Sequence, residues 1–155
     1  MHSLSDHLRT QPPGAFVVGF YTSFTAAVRE GAEDPGELMS RYFTRDFVQV
    51  ADGVEIGWER LRAHLEPIRR NLREFRFELH EAYADGDRIA ARFTIHARMR
   101  KGAPVSTRVL MFAEFTPDGR LRRAEQLTRD VPPPPWPQDP QEAAPDSNTP
   151  TTSGS

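Results

Sequence analysis

Residues 75–130 read FRFELHEAYADGDRIAARFTIHARMRKGAPVSTRVLMFAEFTPDGRLRRAEQLTRD, and this stretch decides the fold. It holds four runs with strand-forming composition, Phe75–Ala82, Arg88–Arg100, Val105–Phe115 and Leu121–Asp130. Asp85-Gly86-Asp87, Lys101-Gly102 and Pro117-Asp118-Gly119 separate them. These are short polar turns in which Gly supplies backbone conformations closed to other residues. Consecutive strands on tight turns predict an antiparallel sheet.

Upstream, the pattern changes to helical spacing. Val17, Phe20, Tyr21, Phe24 and Val28 form one broad apolar stripe over Ala15 to Val28. Asp34-Pro35-Gly36-Glu37 supplies an N-cap, a proline at the first helical position and an acid at the third, so a short helix carrying Leu38, Met39 and Tyr42 follows. Phe47–Ala51 reads as a strand ending in an Asp52-Gly53 turn. After Gly57, the residues Trp58, Leu61, Leu65, Ile68 and Leu72 mark a third helix, which Pro67 is expected to kink by removing the bond to Ala63. Helix, helix, strand, helix and four strands describe an α+β domain with its helices on one face of a curved antiparallel sheet.

Composition narrows the function. The chain has 155 residues, which suits a single core, and no cysteine, which removes disulfides, thiol nucleophiles and thiolate metal sites. Its net charge of −2 provides no field to attract nucleic acid or an anionic membrane. The first residues lack a basic stretch followed by an apolar run, and no segment has membrane-spanning length, so a cytoplasmic protein is expected. The histidines His2, His7, His64, His80 and His96 show no metal-binding spacing, and no phosphate-binding glycine loop or dinucleotide fingerprint is present. Neither a metal nor a cofactor is expected. Basic clusters such as Arg69, Arg70, Arg73 and Arg76 are interleaved with acids, as on a solvated face.

Three segments follow. Residues 1–14 form a flexible lead, residues 15–131 the domain, and residues 132–155 a disordered Pro-rich tail. The tail contains Trp136 as its only large apolar residue and Asp139, Glu142 and Asp146 without Lys or Arg, too little to bury against its ordering entropy. Its opening run Pro132–Pro137 suits polyproline II and could also serve as a ligand for a Pro-recognising domain.

Tyr42-Phe43-Thr44-Arg45-Asp46-Phe47, Gly57, Phe115-Thr116-Pro117-Asp118-Gly119-Arg120-Leu121 and Asp130 carry a resemblance that spans nearly all of Phe16–Asp130. In them the chain resembles the NTF2-like superfamily, in particular the SnoaL-like polyketide cyclases and their ketosteroid isomerase relatives. The resemblance implies a cone-shaped fold in which three N-terminal helical segments and a curved antiparallel sheet enclose an apolar cavity, often paired as a homodimer through the outer sheet face. It does not name a reaction, because the fold hosts isomerases, cyclases, dehydratases, epoxide hydrolases and binding proteins. The isomerases' general-base aspartate matches Ala51, with Asp52 one step further and on the other strand face, and their oxyanion-hole aspartate matches Met111. Their donor tyrosine has a counterpart in Tyr21.

Strand alternation supplies the remaining candidates. With Met111 facing the pocket, Val109 and Ala113 join it, as do Ala124, Gln126, Thr128 and Asp130 from the last strand. An Arg100-Lys101-Gly102 turn adds Thr94, His96 and Arg98, whereas the opposite register presents Phe93, Ile95 and Ala97 and turns His96 outward. His96 is the acid–base candidate, because an imidazole moves protons near neutral pH, and its alternative is a surface or dimer-contact histidine. Asp130 would orient His96 or act as a base, as a late-strand acid does in the cyclase relatives, or else form a strand-end salt bridge. Tyr21 would donate to a substrate oxygen or simply pack in the core. Catalytic candidates are therefore His96, Asp130 and Tyr21, with Val109, Met111, Ala113, Gln126 and Thr128 as the substrate pocket.

Two functions fit. One is a cofactor-independent isomerase, cyclase or dehydratase acting by proton transfer on a small apolar carbonyl compound. The other is a non-catalytic pocket that binds a small molecule or serves as a dimerisation module. A homodimer is expected in either case, because Leu110, Phe112 and Leu127 fall on the face away from the cavity.

Overall fold

The structure, a computed structural model, describes residues 11–135. Residues 1–10 and 136–155, which include most of the expected lead and tail, lie outside that range. Pro132–Pro135 are exposed and without regular structure.

Helix α1 (Pro13–Glu30) begins two residues earlier than its apolar stripe suggested, with Pro13 at a position where the missing N–H costs nothing. It buries Val17, Phe20, Phe24 and Val28 and stops at Gly31, whose φ of 64° lets its N–H bond back to the Ala27 carbonyl. Helix α2 (Pro35–Tyr42) starts as its capping sequence predicts. Asp34 Oδ2 accepts from the N–H groups of Gly36 at 3.0 Å and Glu37 at 3.2 Å. Helix α3 (Trp58–Asn71) runs through Pro67 and buries Leu65.

The strands are β1 (Phe43–Ala51), β2 (Val54–Gly57), β3 (Leu72–Asp85), β4 (Arg88–Met99), β5 (Val105–Phe115) and β6 (Leu121–Val131). They form one open, curved sheet in the order β2-β1-β6-β5-β4-β3. Two features correct the sequence expectation. The sheet is mixed, because β1 pairs in parallel with β6 while every other neighbour is antiparallel. The Asp52-Gly53 turn also leads into a short added strand, β2, whose four residues gave little alternation to read. Asp52 and Gly53 have φ of 52° and 82°, the two positive values that a tight hairpin of this hand requires.

Curvature has a local cause. Register shifts leave an extra residue in β3 between Leu72 and Glu74 and between Leu79 and Glu81, and in β6 between Leu121 and Arg123. Extra residues of this kind bend a strand and increase its twist, so the sheet wraps around α1. Phe20 meets Phe43 and Phe115 edge-on at ring separations of 5.7 and 5.5 Å, and Phe43 meets Phe47 at 4.7 Å. Each buried ring contributes roughly 1.5–3 kcal/mol, enough to fix α1 on the inner face.

Candidate functional site

Directly opposed residues on neighbouring strands share a sheet face, so the register assigns each candidate to a side. Ala82, Ala91, Met111 and Gln126 form one row across β3, β4, β5 and β6, with Ala51 of β1 beside Gln126. The flanking rows are Leu79, Phe93, Val109 and Thr128 on one side, and Ala84, Ile89, Ala113 and Ala124 on the other. Met111, Val109, Ala113, Phe93, Ile89 and Ala124 are buried. This is the inner face, and Val109, Met111, Ala113, Gln126 and Thr128 stand on it together.

Helix α1 brings Tyr21 over the middle row. Its ring lies 5.8 Å from Phe93 and 5.9 Å from Phe77, and Phe20 packs edge-on at 5.0 Å. The Tyr21 hydroxyl donates to the Met111 sulfur at 3.3 Å, and the Gln126 Nε2 points to the same sulfur at 3.7 Å. Burial pushes the phenol well above its ordinary value, against the opposing pull of a hydrogen bond from Gln126. Tyr21 is therefore a protonated donor at neutral pH. Two donors converge on one thioether, which is a weak acceptor.

Asp52 closes one edge of this site. Its carboxylate accepts from the Thr128 N–H at 2.8 Å and from the Thr128 hydroxyl, and its own N–H donates to the Gln126 carbonyl at 3.0 Å. The Thr128 hydroxyl first and its N–H second hold the Asp52 carboxyl below the ordinary value. The turn between β1 and β2 is thereby clasped to β6. Ala51, next to Asp52, faces the same side as Gln126 and offers no carboxylate.

His96 is on the other face, which corrects the expected register. Ala97 pairs with Val105 and His96 with Ser106, so Phe93 and Ile95 accompany Val109 and Thr107, while Thr94, His96 and Arg98 face outward. The loop is longer than the Arg100-Lys101-Gly102 turn because Pro104, which has no N–H to donate to a ladder, stays outside β5. Moving a register by one residue inverts every side chain of the strand. His96 is only 4 % exposed, with Nδ1 2.7 Å from Ser106 Oγ and Nε2 2.8 Å from Glu78 Oε1. The bond from His96 holds the Glu78 carboxyl below its ordinary value, helped by His80 and Arg76. His80 Nε2 and Arg108 Nε meet the Thr94 hydroxyl at 2.6 and 3.1 Å.

Asp130 keeps the inner-face register, opposite Thr107 and one row beyond Thr128, but is exposed. Tyr21 and Gln126 are thus brought together, Asp130 stands further along the same face, and His96 is separated from all three by the sheet. The outer-face bonds among Glu78, His96 and Ser106 went unread in the sequence, because the Leu79/Glu81 irregularity and the β4–β5 loop jointly set that register. The outer face also exposes Tyr83, Leu110, Phe112 and Leu127, and a concavity of about 600 Å³ opens beside Tyr83, Ala90, Phe112, Ala113 and Glu125. Among the described residues no group of three or more His, Asp or Glu is placed to hold a metal, and no helix is long and apolar enough to cross a membrane.

The family profile of the SnoaL-like domain matches residues 20–124. Among solved structures, a Shewanella denitrificans protein assigned as a SnoaL-like polyketide cyclase is 19% identical, with a TM-score of 0.56 over 72% of this chain and 88% of that one. IdmH of Streptomyces antibioticus, also assigned as a polyketide cyclase, is 15% identical, with a TM-score of 0.55 over 76% of this chain and 92% of that one. An NTF2-like protein of unknown function from an Exiguobacterium species is 18% identical, with a TM-score of 0.56 over 73% and 98%. No curated protein sequence matches significantly. At these identities the structural likeness shows the fold.

Proposed function

Because this chain belongs to the SnoaL-like family, we propose that it binds a small apolar molecule between α1 and the inner sheet face, with Tyr21 and Gln126 donating to a carbonyl oxygen of that molecule. The observation that carries this is the convergence of two donors on the Met111 sulfur. A carbonyl oxygen is a much better acceptor than a thioether, so a ligand placing one there satisfies both donors. The flexible Met111 side chain yields the space, and Phe20, Phe77 and Phe93 supply aromatic walls beside Val109, Ala113 and Thr128. No cofactor enters this function.

Asp130 favours a second function on the same site. It stands on the face of Gln126 and Thr128 and is accessible, about 13 Å along the strand from Gln126, so it could take a proton from the far end of an extended ligand conjugated to the carbonyl while Tyr21 stabilises the developing enolate oxygen. That is the chemistry of a cofactor-free cyclase or isomerase. His96 faces the other way, so the proton falls to Asp130 alone. Pairing of two copies through Leu110, Phe112 and Leu127 completes the proposal and leaves the inner site open on each.

Prodan, an aromatic ketone whose emission shifts blue in apolar surroundings, tests the binding function by titration. Saturable blue-shifted emission is expected, weakened by Tyr21→Phe and by Gln126→Leu. Equal titrations for all three proteins would sink the assignment of Tyr21 and Gln126. Asp130→Asn should leave Prodan affinity unchanged, and in a screen of ketone substrates should abolish turnover if the protein is an enzyme.

A further inference from the structure

Many arginines of this chain hold an acid. Arg41 pairs with Glu33, Arg69 and Arg70 with Glu66, Arg92 with Glu81 and Arg120 with Asp118. At one end of the sheet the pattern breaks. A concavity of about 560 Å³ is lined by Arg29 from α1, Arg73 and Glu74 from β3, and Arg98 and Arg100 from the end of β4 and the residue after it. Glu74 is the one acid of this lining, and its Oε1 accepts from Arg98 Nε at 3.0 Å. Among the described residues, no carboxylate stands within ion-pair distance of Arg29, Arg73 or Arg100.

The backbone delivers these three side chains to one place. Arg29 lies in the last turn of α1, where a cation complements the helix dipole, just before Gly31 ends the helix. Leu72 pairs with Met99 and Glu74 with Arg98, so Arg73 is the extra residue of β3, and an insertion of that kind re-aims a side chain. The Arg100 N–H donates to the Asn71 carbonyl at 2.7 Å, which ties the end of β4 to the α3–β3 junction beside Arg73. Guanidinium groups gathered in this way repel one another unless an anion lies among them. Their planar forks match the oxygens of an oxyanion. We propose that this concavity binds the phosphate group of a small molecule, held by Arg29, Arg73 and Arg100. A phosphate group, with a charge of about −2 and three strong acceptor oxygens, offsets three guanidinium groups better than a singly charged carboxylate does.

The concavity shares no lining residue with the proposed inner site. Its outer-face residue Arg98 is six positions, or about 20 Å, along β4 from Arg92, the partner of Leu110. Pairing through Leu110, Phe112 and Leu127 would therefore leave it open. Phosphate binding here does not depend on ketone binding at Tyr21 and Gln126, and loss of one leaves the other standing.

Inorganic phosphate, exchanged for chloride at constant ionic strength, is the probe, titrated into the ¹⁵N-labelled full-length protein. Saturable shifts are expected in the amide signals of Arg73, Arg100 and Gly102 and in the Nε–H signals of Arg29, Arg73 and Arg100. The Arg73→Gln, Arg100→Gln double variant removes two charged donors and should weaken the affinity roughly tenfold or more. A control double variant, Arg122→Gln with Arg123→Gln, should keep it. Glu74→Gln removes the one acid of the lining and should tighten it. Prodan titrations with and without phosphate should coincide, which separates this site from the inner one. Wild-type shifts that do not saturate overturn the proposal. So does an affinity undiminished in the Arg73, Arg100 double variant.

Discussion

The proposed inner site rests on Tyr21 and Gln126, whose positions on α1 and on the inner face of β6 were legible. Tyr21 falls in the apolar stripe of α1, and Gln126 alternates in phase with Ala124 and Thr128. Losing one net hydrogen bond of about 1 kcal/mol should weaken ketone binding roughly fivefold in Tyr21→Phe, read by Prodan titration, with the thermal midpoint little changed. Asp52 was not legible, because its partner Thr128 is 76 positions away and becomes a neighbour only through the parallel β1–β6 pairing. Its carboxyl is held below its ordinary value in the fold, so its contribution is present above the unfolded value of about 3.9 and lost as pH falls through the folded one. Asp52→Asn should accordingly lower the thermal midpoint at neutral pH and flatten its decline below about pH 4. Parallel curves for the two proteins would contradict the clasp.

At the scale of elements, caps and turns were readable because their signals are local. Asp34 before Pro35 announces α2, and Asp34→Ala should cost about 1 kcal/mol by losing its two bonds to the helix N-terminus, measured by denaturant titration. Register was harder. The face of β4 depends on where β5 resumes after Arg100, and Pro104 moved that point beyond the expected turn. His96 consequently bonds to Ser106 of its own row and to Glu78 of the neighbouring one, and these bonds should add to stability. Ser106→Ala leaves the buried Nδ1 without its partner and should destabilise by about 1–3 kcal/mol while leaving ketone affinity unchanged. A change in affinity without a change in stability would instead tie His96 to the inner site.

For the whole molecule, helix-then-strand order was enough to anticipate helices on one side of a curved sheet, since each element announces its own period. The mixed pairing was not visible, because parallel neighbours at opposite ends of a chain share no local signal. The apolar face was visible in outline through Leu110, Phe112 and Leu127, and the fold adds Tyr83 to it. Pairing through this face should appear by light scattering as a dimer at micromolar concentration, shifted toward monomer by Phe112→Glu. A monomer throughout would remove it. In the proposed inner site a ligand oxygen would take the place of the Met111 sulfur as acceptor for Tyr21 and Gln126. The infrared carbonyl stretch of bound Prodan tests this most directly. Donation by Tyr21 and Gln126 predicts a stretch lowered relative to Prodan in an apolar solvent and partly restored in Tyr21→Phe, whereas an identical band in the wild type and the variant would contradict it.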